Sequence, residues 1–120
     1  MQDNNGTSEK LITWEKTIKA SDVPENDGVA IILDGKQIAV FNFTVEGKWF
    51  AVQNLCPHKN EMALSRGLLG DVNGEPKIAC PFHKKTFSLE TGNCLNDDLC
   101  SVDVYPIKIE EGYVFIGIEK

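Results

Sequence analysis

Two short loops constrain this chain more than anything else in it. Cys56-Pro57-His58 and Cys80-Pro81-Phe82-His83, separated by the 21 residues 59–79, each present one thiol and one imidazole. The chain has only two histidines, and both stand in these loops. Two sulfur donors with two imidazoles suit a [2Fe–2S] cluster in which two Cys hold one iron and two His the other. The same donors suit a structural zinc ion in a tetrahedron. A lone Cys-x-His is a weak signal, because a single Cys is usually a small buried hydrophobe. Two such loops, each stiffened by a proline, are a strong one.

The rest of the chain narrows what such a site is for. At 120 residues it is long enough for one domain with its own core. The net charge of −6 offers no basic stripe for a nucleic acid. No stretch approaches the roughly 18 apolar residues of a membrane helix, so no membrane partner is expected. Met1–Lys10 lacks the basic start and apolar run of a secretory signal. We therefore expect a cytoplasmic protein, in which reducing conditions favour metal binding over disulfides. Cys94 and Cys100 have no neighbouring His and are expected to be buried thiols without a metal role.

The hydrophobic pattern is that of short strands. Residues 1–10 read as a disordered polar tail, followed by a single domain over 11–120. Leu11–Ala20 is expected as a first strand and Ser21–Gly28 as a loop. Val29–Leu33 and Lys36–Phe43 flank Asp34-Gly35, a tight-turn signal. Along the second of these, Ile38, Val40 and Asn42 point one way and Gln37, Ala39, Phe41 and Phe43 the other. Glu46-Gly47 turns the chain into Lys48–Gln53, which leads straight into Cys56-Pro57-His58. Leu68–Pro76 reads as turn-rich, with a hairpin tip at Asp71-Val72-Asn73-Gly74. Lys77–Ala79 then feeds Cys80, so both ligand loops follow a strand. Thr86–Leu89 and a closing hairpin of Val102–Ile109 with Gly112–Ile118 complete an all-β sandwich or barrel. A small cluster-binding subdomain over about 55–87 is expected within it.

Around the donors, Pro57, Met62, Pro81 and Phe82 are candidates to shield a cluster, or ordinary packing residues. Lys59, Lys84 and Lys85 either offset its charge or are simply solvated.

The second half of the chain resembles the Rieske ferredoxin family. The resemblance rests on the two ligand loops, Phe87, Thr91-Gly92, and the closing Val104-Tyr105-Pro106-Ile107 and Glu111-Gly112-Tyr113-Val114. It implies a Rieske-type (ISP-like) β-sandwich and a [2Fe–2S] cluster, with Cys56 and Cys80 on one iron and His58 and His83 on the other. A narrower likeness lies in Met62-Ala63-Leu64-Ser65-Arg66-Gly67, Gly74-Glu75-Pro76 and His83-Lys84-Lys85-Thr86-Phe87-Ser88-Leu89. Together with a spacer longer than is usual in Rieske ferredoxins, it is similar to the small subunits of assimilatory NAD(P)H-dependent nitrite reductases. That implies electron transfer in the reduction of nitrite to ammonium, alongside a large subunit carrying flavin, sirohaem and a [4Fe–4S] cluster. Some members of that subfamily lack the ligands, whereas this chain keeps all four. The positions of the extra disulfide of respiratory Rieske proteins are Glu61 and Phe82 here. A potential in the lower part of the Rieske range of about −150 to +300 mV is therefore expected. No nucleophile, acid–base pair or phosphate-binding glycine loop appears, so catalysis by this chain alone is not expected. The alternatives are a free Rieske ferredoxin serving an aromatic-ring dioxygenase and a structural zinc-binding interaction module.

Overall fold

The computed structural model describes residues 12–55, 64–72, 74–81, 86–95 and 101–119. Its framework is a run of tight hairpins. Strands β1 (Ile12–Lys19), β2 (Asp27–Leu33), β3 (Lys36–Phe43) and β4 (Lys48–Gln53) come first. Then follow β5 (Leu68–Val72), β6 (Glu75–Ala79) and β7 (Thr86–Ser88), and finally β8 (Val104–Tyr105), β9 (Ile107–Glu110) and β10 (Tyr113–Glu119). The only helical pieces among the described residues are 3₁₀ turns at Ala20–Asp22 and Leu64–Arg66. None is long and apolar enough to cross a membrane.

Turn chemistry sets the register. β2 and β3 pair from Asp27↔Asn42 to Leu33↔Lys36 around Asp34-Gly35. Both turn residues have positive φ, 55° and 77°, the type I′ geometry whose twist matches a hairpin. Glu111-Gly112 repeats it between β9 and β10, with φ of 54° and 83°. Asn and Asp tolerate this region better than most residues, and Gly occupies it freely.

The strands assemble into three antiparallel sheets, β9-β10-β1, β2-β3-β4-β8 and β5-β6-β7. The four-stranded sheet lies between the other two and is apolar on both faces, because β3 alternates two buried sets. Ile38 and Val40 join Ala51, Val114, Ile116 and Ile118 in one core. Ala39 and Phe41 join Val52, Leu64, Ile78, Cys80, Phe87, Leu89 and Val102 in the other. All four of these β3 side chains are 0% exposed. The expected alternation is thus observed, and both of its phases are interior.

Two expectations are corrected. Leu68–Val72 forms a strand rather than a turn-rich stretch, paired with β6 from Leu68↔Ala79 to Val72↔Glu75. Gly70 and Asp71 are poor strand formers, but cross-strand pairing outweighs propensity. The hairpin tip falls where expected, with the Gly74 N–H donating to Asp71 Oδ1 at 3.4 Å. Val102–Ile109 is not one strand. Pro106 divides it, so Val104–Tyr105 pairs with β4 while Ile107–Glu110 pairs with β10. Proline cannot donate to a ladder, although its carbonyl still accepts from Gly117 N at 2.9 Å.

Phe41, with Phe87, is one of the two largest fully buried side chains of the second core, which carries the ligand-bearing sheet. Phe41→Ala should lower the unfolding free energy by about 3–5 kcal/mol, measured by urea denaturation.

Candidate metal centre

Both ligand pairs follow strand ends in the sequence, those of β4 and β6. β4 ends at Gln53 opposite Ile38, beside the Asp34-Gly35 turn, and Asn54 and Leu55 lead out toward Cys56. β6 ends at Ala79, which pairs with both Leu68 of β5 and Thr86 of β7. Cys80 follows at once. The pairing of Ala79 with Thr86 therefore holds the chain before Cys80 beside the chain that resumes at Thr86.

Of the four predicted ligands, Cys80 lies within the described residues; Cys56, His58 and His83 lie outside them. Cys80 is 1% exposed and packs in the core with Ile78, Phe87 and Leu64. Pro81 is exposed and opens the turn; Pro57, Met62, Phe82, Lys59, Lys84 and Lys85 lie outside the described residues. Cys94 is half-buried against the same core with a free thiol, and Cys100 lies outside the described residues. Among the described residues, no three His, Cys, Asp or Glu gather in a way suited to a metal.

Two residues that sequence reasoning passed over organise these loop ends. Asn54, 1% exposed, accepts from Ser65 N through Oδ1 at 2.7 Å and donates through Nδ2 to Gln37 Oε1 at 3.1 Å. Its backbone N–H donates to Gln37 O at 3.1 Å. Gly67 is the second: a Cβ there would collide with the carbonyl oxygen of Ala79. The chain leaving the first loop thus runs directly against the residue before Cys80. A polar residue between Gln53 and Leu55, next to a ligand loop, was the available signal for Asn54. Gly67 stood in the sequence only as the last residue of the Met62–Gly67 likeness, with no role of its own.

Electrostatics separates the two ends of the domain. At the far end, the β3–β4 turn brings Glu46 to Asp71 of β5, and their hydrogen bond holds the Glu46 carboxyl above its usual range. Near the ligand-loop end, Tyr105 lines a groove of about 410 Å³ with Gln37, Gln53 and Asp103. Burial first, and the Asp103 charge second, push its phenol up.

The donor chemistry fits an iron–sulfur cluster. Cys80, buried at a strand exit among Ile78, Phe87 and Leu64, places a sulfur donor where water is excluded. A family model for the Rieske-like [2Fe–2S] domain matches residues 13–117. The chain belongs to that family. Its cofactor is accordingly a Rieske-type [2Fe–2S] cluster, and the zinc alternative gives way.

The Rieske domain has close relatives of two sizes. It is 36% identical, over 98% of its length, to nitrite reductase [NAD(P)H] of Emericella nidulans, but spans only 11% of that protein. It is 33% identical over 84% of its length to the nitrite reductase (NADH) small subunit of Escherichia coli K12, covering 94% of it. It is also 36% identical, over 88% of its length, to the ferredoxin component of naphthalene 1,2-dioxygenase/salicylate 5-hydroxylase systems from Ralstonia, covering 96% of it. Among solved structures, the nitrite reductase [NAD(P)H] small subunit of Erwinia carotovora superimposes with a TM-score of 0.76 at 31% identity. That match covers 89% of this chain and 82% of the other.

Two outcomes follow from this geometry. Gly67→Ala must push the chain off Ala79; it should destabilise by about 1–3 kcal/mol and lower the visible absorbance per purified chain. Tyr105 titrates higher folded than unfolded, so its contribution to stability is full below the unfolded value of about 10. That contribution is lost as pH rises through the folded value. Tyr105→Phe should remove the late component of tyrosinate absorbance at 295 nm and soften the alkaline loss of stability.

Proposed function

We propose that this Rieske domain is the electron-transferring small subunit of an NAD(P)H-dependent nitrite reductase, part of an oxidoreductase and not catalytic alone. The observation that carries the reading is end-to-end similarity to small subunits of this kind, which the chain matches over 94% of their length. Its partner is a large subunit with flavin, sirohaem and a [4Fe–4S] cluster. Together they reduce nitrite to ammonium in the cytoplasm, as part of nitrate and nitrite assimilation.

In this reading Cys56 and Cys80 hold one iron and His58 and His83 the other, within a cluster-binding subdomain over about 55–87. When bound, the cluster supplies one-electron storage at about −150 to +300 mV, against about −400 mV for plant-type ferredoxins with four Cys. The chain's own residues hold and shield it. The buried Cys80 side chain keeps one sulfur donor away from water, and pairing of Ala79 with Thr86 fixes the ends of its loop. Similarity of 36% to a dioxygenase ferredoxin over 96% of that protein supports a second reading, a free ferredoxin for an aromatic-ring oxygenase.

Co-expression with a flavin- and sirohaem-bearing large subunit separates the two. Recovery in one complex is expected, with nitrite-dependent NAD(P)H oxidation that falls when Cys56→Ser or His58→Ala is introduced. Reconstitution of a ring dioxygenase instead, with no complex formed, would favour the ferredoxin. The visible and EPR spectra of Cys56→Ser, His58→Ala and His83→Cys test the ligand set, and each should be altered or lost. A parent-like spectrum in any of them rejects that residue as a ligand.

A further inference from the structure

We infer that Asn54 is a positioning residue for the cluster, a carboxamide clamp that fixes both ends of the first ligand loop and, through them, the start of the second. The inference rests on the ligand assignment proposed above.

Asn54 stands two residues before Cys56, where β4 has ended. Its backbone N–H still reaches Gln37 O, so the chain holds its line for one more residue before leaving the sheet. From that point the side chain takes over. Oδ1 receives Ser65 N, in the 3₁₀ turn that ends the loop, and Nδ2 binds Gln37 Oε1 on β3. Residues 54 and 65 are thereby held at hydrogen-bond distance across the stretch that contains Cys56 and His58. The next turn of chain carries the constraint further. Gly67 N donates to Leu64 O at 3.0 Å, and Gly67 itself lies against Ala79. The connected path is Asn54, Ser65, Gly67, Ala79, Cys80.

The residue type matters at this point. The site uses one acceptor and one donor on a single short side chain, and a carboxamide provides both. A buried amide lacking partners is costly, whereas this one has a partner on each polar atom. An apolar side chain of similar size would fill the space while leaving Ser65 N without its acceptor. Groups that orient metal ligands from one layer out commonly change metal affinity about 10–100-fold when removed.

The test uses the cluster-loaded chain and follows bleaching of visible absorbance under a chelator, together with the EPR spectrum. Asn54→Leu should bleach about tenfold or more faster than the parent and shift or broaden the EPR lines. Asn54→Asp keeps the acceptor for Ser65 N, and the Gln37 amide can turn to donate to it, so its bleaching rate should return close to the parent's. Gln37→Met removes only the second tether and should give a smaller acceleration, readable even if Asn54→Leu does not fold. Val40→Ala, on the opposite core, is the control for general destabilisation. The inference is overturned if the Asn54 and Gln37 variants bleach no faster than Val40→Ala with unchanged EPR, or if Asn54→Asp is no better than Asn54→Leu. Failure of the ligand reading has a separate signature, an unaltered cluster spectrum in Cys56→Ser.

Discussion

The structure depends on one strand that is interior on both faces. β3 sends Ile38 and Val40 into one core and Ala39 and Phe41 into the other, so the sheet it belongs to serves as a common wall. On one side of that wall the closing hairpin and β1 complete a sandwich. On the other, a three-stranded sheet contributes Ile78, Cys80 and Phe87. A predicted cluster ligand is therefore anchored in the same apolar contacts that hold the sheets together. Each Å² of apolar surface removed from water is worth roughly 25 cal/mol, and these contacts hold Cys80 in the core.

Much of this architecture was legible in the sequence. Asp34-Gly35 and Glu111-Gly112 specify hairpins by backbone chemistry alone, and the alternation across Lys36–Phe43 names the buried residues before any contact is seen. Two elements were misread for opposite reasons. Leu68–Val72 contains Gly70 and Asp71, whose weak strand propensity hides a strand that exists only because β6 lies beside it. Val102–Ile109 looks continuous in hydrophobicity, although Pro106 already marks the place where the chain changes sheets. The expected donor residues were named from type and spacing, and of the four Cys80 alone lies within the described residues. Asn54 and Gly67 were not legible, because their roles consist of contacts with Gln37, Ser65 and Ala79, and no local pattern encodes such distances.

The division of labour within the domain follows from this. Apolar burial fixes where the loops begin, and a few directional contacts fix how their ends face one another. The acidic pair Glu46 and Asp71 lies at the far end of the sheets from the loop exits.

The long spacer between the ligand pairs takes on another meaning once Leu68 is seen opposite Ala79. Residues 68–79 leave the site as β5 and return to it as β6, so most of the intervening sequence is an excursion. Directly paired residues in such a ladder are about 4.5–5.5 Å apart whatever the length of hairpin beyond them. Chain length between the ligand pairs is thus decoupled from distance in space. Adding or removing residues in pairs at the 73–74 tip would change the spacer without moving Cys80, which leaves that hairpin free to vary in length while the ends of both loops stay where they are.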